Sequence, residues 1–261
     1  MTDEKISFGN GANYEQMMGE WSRLVGANFL NWLNPQKELR WVDVGCGNGA
    51  FTEMIIENCA PSLIDGIDPS ASQLHFASTR PECKKAKFQI GNAMNLPYPN
   101  ETFDSAVMAL VIFFVPDPGK GISEMVRVVK TGGWVSAYVW DMLGGGFPLA
   151  AIQNQMRTMG LTPRVPPSSF ISRIDQLQDA WTNAKLHSVQ TTKILVNRTF
   201  KDFDHYWSNA LLDSSVGEDI AAMTSDDRDL LKVAVRNQLP TGVNEQIVIS
   251  ALANAVRGQV F

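Results

Sequence analysis

WVDVGCGNGAF, residues 41–51, sets three glycines within five positions directly after an apolar, β-branched run. A backbone this bare at the end of a buried strand predicts a tight turn into a helix, with a ligand or a second element pressed close to the main chain. Alternating units extend outward from it. LRWVDV predicts a strand and about 50–59 a helix; LIDGID predicts a strand and about 70–79 a helix. Strands at AKFQIG and FDSAVMALVIFF follow, then a helix at GKGISEMVRVVK and a strand at GWVSAYVW. Strands alternating with helices at this spacing predict an α/β fold with a parallel sheet covered on both faces.

The stretch before the loop, YEQMMGEWSRLVGANFLNWL, carries Met17, Trp21, Leu24, Val25, Phe29 and Trp32 at three- and four-residue steps and predicts a helix ended by Pro35. Beyond Trp140 the rhythm changes. DMLGGGFPL reads as a hinge-like exit and LTPRVPPSSFIS as a proline-rich loop. A helix, RIDQLQDAWTNAKL, then leads into a strand, HSVQTTKILVN. Residues 201–243 read as mainly helical, and EQIVISALANAVRG as a closing strand. These divisions predict one domain with a core at about 39–142, 173–200 and 244–261. Cap elements are expected at about 1–38, 143–172 and 201–243.

Composition narrows the classes. Hydrophobic residues make up 44% and charged residues 19%, an ordinary globular balance. A net charge of −5 argues against a nucleic-acid partner, because phosphate binding needs a concentrated basic surface. Cys46, Cys59 and Cys83 have no C-x-x-C spacing and are odd in number, which indicates neither a zinc site nor a disulfide framework. No metal is expected. No apolar run approaches the roughly 20 residues that cross a bilayer, and the polar start lacks a signal-peptide core. A cytoplasmic protein with no membrane partner is the expectation; the composition is silent on oligomeric state.

Gly45, Gly47 and Ala50 satisfy the G-x-G-x-x-A pattern of dinucleotide-binding turns. The next strand ends in GIDPS, setting Asp68 roughly 20 residues on, where such folds bring a carboxylate to a ribose hydroxyl pair. NAD and S-adenosylmethionine fit these features equally, beside the plainer reading of a tight turn and a helix-capping aspartate. Asp43 tips the balance. A carboxylate at the strand end repels a pyrophosphate but suits a ligand carrying an ammonium and a sulfonium.

The chain resembles the class I S-adenosylmethionine-dependent methyltransferases, particularly those acting on small molecules. VDVGCGNG is similar to their first motif and GIDPS to their acidic second strand. GNAMNLPYPNETFDSAV is similar to their G-[DN]-A-x-x-L-P-[FY] segment, and EMVRVVKTGGW to their E-x-x-R-V-L-K-P-G-G helix and turn. The resemblance covers about residues 40–140. It implies a Rossmann-like, seven-stranded, mostly parallel sheet with an antiparallel final strand, for which EQIVISALANAV is the candidate, and a helical cap. It further implies that the backbone near Gly45, Cys46 and Gly47 meets the methionine moiety and that Asp68 holds the ribose hydroxyls. Pro69 then flanks the adenine, Asn92, Ala93 and Met94 edge it, and Leu110 lies beneath the cofactor. Asn92 stands where the family often has aspartate, and Thr131 where it has proline. Gly49 is expected to serve helix packing and Cys46 to be a small loop residue, not a nucleophile.

The acceptor side is thinner. In-line displacement at a sulfonium draws much of its catalysis from positioning, so no base is obligatory. His75 falls on a helix that packs the sheet, and His187 just before a strand. His205 sits among Phe203, Tyr206 and Trp207, which marks it as the candidate general base, with Tyr206, Trp207 and Phe147 as candidate acceptor contacts; an amphipathic core helix explains the same segment equally well. Tyr14 and the WSRLV helix are candidates to close over the cofactor. Arg23 either reaches the methionine carboxylate or faces solvent, and Trp21 reads as core. The expected activity is methyl transfer from S-adenosylmethionine to an O, N or C atom of a small, partly apolar molecule. The alternatives are an NAD-dependent oxidoreductase, or a cofactor-binding protein without methyl transfer.

Overall fold

β1, Arg40–Val44, ends in four consecutive buried residues. A strand buried on both faces requires a layer on each side. The computed structural model, which describes residues 11–240 and 242–261, supplies both. β1, β2 (Leu63–Asp68), β3 (Lys87–Ile90), β4 (Phe103–Ala109) and β5 (Val129–Trp140) pair parallel among themselves. β6 (His187–Phe200) and β7 (Ile247–Gln259) complete one sheet in the order β3-β2-β1-β4-β5-β7-β6. β7 runs antiparallel to both β5 and β6. The expected mostly parallel sheet with its antiparallel final strand is present.

The helices are α1 (Gly11–Leu33), α2 (Ala50–Cys59), α3 (Ala71–Thr79), α4 (Pro118–Val128) and α5 (Ala150–Thr158). They continue with α6 (Ile174–Asn183), α7 (Phe203–Ala210), α8 (Gly217–Ala221) and α9 (Ser225–Gln238). Their starts follow local chemistry. Ser70 Oγ accepts from the Gln73 amide, Asp117 caps α4 ahead of Pro118, and Asp202 and Thr224 cap α7 and α9. Each such cap stabilises its helix by about 1 kcal/mol.

α1 is fastened to the sheet. Trp21, 1% exposed, meets Trp140 edge-on at 6.3 Å and Phe200 at 6.5 Å, and Phe29 lies 4.5 Å from Tyr138 between ring centroids. Full burial of a side chain such as Phe29 is worth about 1.5–3 kcal/mol. Arg198 of β6 pairs with Glu20 at 2.7 Å and donates to Met17 O, while Arg257 of β7 donates to Leu33 O. Trp21 is therefore core, and α1 packs on α2 and across β6 and β7, reaching the end of β5 at Trp140.

Three local expectations change. The apolar run from Phe103 to Phe114 is not one strand: β4 stops at Ala109, Leu110 takes φ +60°, and a 3-10 turn covers Ile112–Phe114. Thr131-Gly132-Gly133 does not stop α4, which ends at Val128; Gly132, at φ +84°, instead sits in a shift of the β4–β5 register. The glycines at 144–146 are no hinge. Asp141 Oδ1 accepts from the Gly144 amide, and Asp141 and Gly146 exchange main-chain bonds with Leu252 of β7.

The excursions outside the sheet meet one another. α5 packs on α9, Gln238 donates to Gln155 at 2.7 Å, and Arg164 pairs with Glu218 and Asp219 of α8. Ser168 bonds Phe113 O through its amide and Val115 O through its hydroxyl. The proline-rich loop is thus tied to the turn after β4, beside the ligand cavities.

Candidate functional site

Parallel α/β sheets bind ligands beyond the carboxyl ends of their strands, where the strand order reverses. Here β1 leads to β2 on one side and β4 lies on the other. A cavity of about 510 Å³ opens between them, lined by the 45–48 loop, Asp43, the 68–73 segment, the 109–111 turn, Ser22, Phe51, Phe114 and Tyr138. That volume falls within the usual range for cofactor sites.

The loop's glycines differ in purpose. Gly45, Gly47 and Gly49 all have positive φ. A Cβ on Gly45 would come within 2.4 Å of Val111 Cγ1, and one on Gly49 within 2.9 Å of Ala77 Cβ. These two let the loop pack on the 111 turn and on α3. A Cβ on Gly47 would meet no protein atom within 4 Å, so its bare backbone faces open space in the cavity. The Gly45 and Cys46 amides are spent on Ile67 O, at 2.7 and 3.0 Å, and the Gly47 amide on Asp68 Oδ2, at 2.9 Å. Burial raises the Cys46 thiol well above its ordinary range, and the neighbouring Asp43 and Asp68 charges add to it, so it stays a neutral thiol.

Two carboxylates converge here. Asp68 accepts from Gly47 and, through Oδ1, from the Ser70 amide at 2.8 Å; each oxygen retains a second lone pair. Burial raises its pKa against those two bonds. Asp43 is fully buried; Oδ2 accepts from Thr52 Oγ1 at 2.7 Å, and Oδ1 has no hydrogen-bond partner among the described residues. Burial pushes its carboxyl up to about 7, with the Asp68 charge adding and the Thr52 bond opposing. Ser22 Oγ, on the α1 wall, is likewise buried without a partner. The cavity therefore offers an unsatisfied acceptor and an unsatisfied hydroxyl in a negative field. Such a site fits a ligand with an ammonium, a carboxylate and a sulfonium, and repels a pyrophosphate.

A second, smaller cavity of about 50 Å³ adjoins the first, and Leu110 and Phe114 line both. Its remaining wall is mainly aromatic and sulfur-bearing (Met18, Phe113, Trp140, Met142 and Phe147), closed by Pro166, Arg164, Asp213 and Ser215. Leu110 separates the compartments in a left-handed conformation costly for a side-chain-bearing residue.

Residues 42–137 match the family model described as a methyltransferase domain. That stretch of the chain is similar to the methyltransferase domain. It is 36% identical over 118 residues to a chloroplastic 2-methyl-6-phytyl-1,4-hydroquinone methyltransferase 2 of Oryza sativa subsp. japonica, covering 41% of this chain and 34% of that protein. The chain spans between 27% and 46% of the length of the first curated relatives it matches. Among solved structures, the YcgJ protein of Bacillus subtilis superposes with a TM-score of 0.59 at 17% identity, over 90% of this chain and 97% of that one. A phosphoethanolamine N-methyltransferase 2 of Haemonchus contortus in complex with S-adenosyl-L-methionine gives 0.57 at 15% identity, over 96% and 56%. At these identities the structural likeness establishes the fold.

The fold brings Asp43, Gly45, Cys46, Gly47, Asp68, Pro69 and Leu110 together around the larger cavity. Asn92, Ala93 and Met94 follow β3 beside Asp68, whose carbonyl accepts from the Gly91 amide, but they stand outside the cavity lining. Asn92 is exposed and its Oδ1 accepts from the Met94 amide at 2.9 Å, so its carbonyl is engaged by the main chain. Arg23 is exposed and outside the lining; the side chain of Tyr14 lies outside the described residues.

On the acceptor side Phe147 lines the smaller cavity, but the α7 residues require a correction. Phe203, Tyr206 and Trp207 share one helix face and bury it, with Tyr206 5.2 Å from Phe200 and Trp207 stacked on Phe203 at 6.0 Å. His205 lies at the outer edge of this cluster, its ring edge-on to Phe200 at 5.5 Å. It is exposed, its Nδ1 accepts from the Lys201 amide at 3.3 Å, and it lines neither cavity. Tyr206 and Trp207 line neither cavity as well. Ser22 belongs to the WSRLV helix expected to close over the cofactor, while sequence reasoning missed Trp140, Asp213 and Ser215 as cavity-lining residues. Of these only Trp140 had a signal, as a polar-tipped aromatic at a strand's carboxyl end; Asp213 and Ser215 fall in a stretch read as mainly helical.

Proposed function

We propose that this protein transfers a methyl group from S-adenosylmethionine to a small, partly apolar acceptor bearing a hydroxylated ring. The observation that carries the cofactor reading is the fully buried Asp43 carboxylate, with one oxygen unpartnered, at the end of β1. In this reading Asp43 faces the methionine ammonium and Ser22 Oγ the methionine carboxylate. The bare Gly47 backbone, with Gly45 and Cys46 beside it, admits the chain between them. Asp68 accepts from the ribose hydroxyls, Pro69 flanks the adenine, and Asn92, Ala93 and Met94 edge it. Leu110 supports the cofactor from beneath and marks where the acceptor enters.

Bound there, S-adenosylmethionine supplies an electrophilic methyl group. The protein's part is alignment: two adjoining compartments hold donor and acceptor in line and exclude water. The hydroquinone acceptor in the rice relative's name supports a hydroxylated ring, and the aromatic wall of the smaller cavity supports an apolar one. The chain acts as one domain, its cap drawn from α1 and residues 143–172 and 201–240, with residues 1–10 of the expected cap outside the described residues. Three thiols without a disulfide among them suit the reducing cytoplasm.

Calorimetric titration tests the cofactor reading. Micromolar binding of S-adenosylhomocysteine, roughly −8 kcal/mol, is expected, with no saturable binding of NADH. The reverse pattern overturns it. Release of S-adenosylhomocysteine on mixing protein, S-adenosylmethionine and 2-methylhydroquinone tests the transfer.

A further inference from the structure

The smaller cavity sets Trp140, Asp213, Ser215 and Arg164 against a mainly apolar wall. Trp140 is 1% exposed, and its Nε1–H, at the end of β5, has no acceptor among the described residues. An indole N–H usually finds a partner when buried; left without one at a cavity wall, it marks where a ligand's acceptor belongs. Facing the same space is Asp213, in the turn between α7 and α8. Its Oδ1 accepts from the amide of Ser215 at 2.8 Å and from the Ser215 hydroxyl, which fixes the side chain on the cavity rim. Arg164, on the same rim, carries ion pairs to Glu218 and Asp219.

We infer that Asp213 is the catalytic base of the acceptor site and Trp140 its oxygen-binding donor, so that the acceptor is a hydroxyl-bearing aromatic molecule held by both. The inference rests on the methyl-transfer reading above and adds the residues that select and activate the acceptor. Leu110 and Phe114, shared by both cavities, set the acceptor beside the cofactor compartment.

The acceptor's O–H bond breaks and its proton passes to an Asp213 carboxylate oxygen. The oxygen's electron pair forms a bond to the methyl carbon while the carbon–sulfur bond breaks, its pair remaining on sulfur as the thioether of S-adenosylhomocysteine. The proton leaves Asp213 to water once the methylated product departs. The carboxyl is suited to this, since burial already raises its proton affinity against the Ser215 bonds. Trp140 Nε1–H donates to an oxygen of the acceptor, satisfying an otherwise orphaned donor.

The test compares phenol with toluene, two rings differing in the hydroxyl, as ligands of the protein loaded with S-adenosylhomocysteine. Phenol should bind at least about tenfold tighter, a hydroxyl-specific preference, and Asp213→Asn and Trp140→Phe should each reduce it. Asp213→Asn keeps an oxygen for the Ser215 amide, and a thermal melt verifies its fold; Trp140→Phe gives an independent arm. Equal binding of phenol and toluene to the wild type, or an undiminished preference in both variants, overturns the inference. With 2-methylhydroquinone as acceptor, Asp213→Asn should lower kcat by roughly 10²–10⁴-fold while S-adenosylmethionine affinity stays unchanged. A kcat within threefold of wild type also overturns it. Absence of any methyl transfer by the wild type would instead count against the methyl-transfer reading, and the phenol–toluene comparison would still judge the site.

Discussion

The Gly47 amide donates to Asp68 Oδ2 at 2.9 Å, so the glycine loop and the acidic end of β2 clasp each other on the floor of the larger cavity. The other Asp68 oxygen holds the Ser70 amide at the start of α3. One carboxylate therefore shapes the loop and holds the Ser70 cap of α3, and each of its oxygens keeps a second lone pair.

Asp68→Ala should weaken S-adenosylhomocysteine binding by about 1.5–3 kcal/mol, the range for hydrogen bonds to a charged group. It should also lower the melting temperature, because the Gly47 and Ser70 amides lose their acceptor. Asp68→Asn, which retains one carbonyl oxygen, should recover part of the stability and little of the affinity. Titration and thermal melts on the pair measure the two effects separately; a melt unchanged in Asp68→Ala would contradict the clasp.

The loop glycines should separate into a folding position and a binding position. Gly45→Ala drives a Cβ into Val111 and strains a positive φ, a combined cost of about 2–5 kcal/mol. Gly47→Val meets no protein atom at its Cβ and should cost stability mainly through the backbone, about 1–2 kcal/mol, yet abolish cofactor binding. Normal affinity in a folded Gly47→Val would mean that no ligand approaches the loop.

Asp43 predicts a pH dependence of definite sign. Burial pushes its carboxyl from an ordinary 3.8 up to about 7 in the folded state, so the folded state binds the proton more tightly. Its contribution is present below about pH 4 and is lost as pH rises through about 7. The ligand-free protein should therefore lose stability between those values, and Asp43→Asn should flatten the profile. A ligand ammonium favours ionised Asp43, so binding should strengthen from pH 5 to 7 with proton release, measured by calorimetry in buffers of different ionisation enthalpy. No proton release at pH 6 would remove Asp43 from the ligand's cation.

Ser22→Ala deletes a buried hydroxyl that has no partner among the described residues. Stability should hold or rise slightly, while cofactor affinity falls by about 0.5–1.5 kcal/mol. A loss of stability with affinity intact would assign Ser22 to α1 packing alone.

His205→Ala should leave kcat and KM unchanged and alter stability by no more than about 0.5 kcal/mol, as at other exposed positions. A large fall in kcat would show that α7 rearranges to bring His205 inward.

The core was legible because its signals are local. The βαβ unit around WVDVGCGNGAF joins apolar runs to glycines and ends in an acidic strand tip, and α2, β2 and α3 begin within a residue of expectation. The end of β4 was not legible, since a buried strand and a buried turn are both continuously apolar; only the positive φ of Leu110 divides them. The aromatic cluster around His205 was ambiguous in type: steps of three and four from Phe203 set Tyr206 and Trp207 on one face and His205 on another, which is the core-helix alternative. Asp213 and Ser215 owe their position to packing between excursions far apart in the chain, through Arg164 and α8, and no local pattern encodes that.

β7 lies between β5 and β6, which has a consequence during synthesis. The outer edge of β5 receives its partner only after residues 141–246 have been made, a wait on the order of 5–20 s at ribosomal elongation rates. Through that interval β5 presents unpaired main-chain groups able to recruit another nascent chain. β6 emerges first and runs parallel to β5, so its premature docking against β5 is the misassembly that this strand order invites. Correct folding then depends on β6 staying off that edge until β7 arrives to fill the gap.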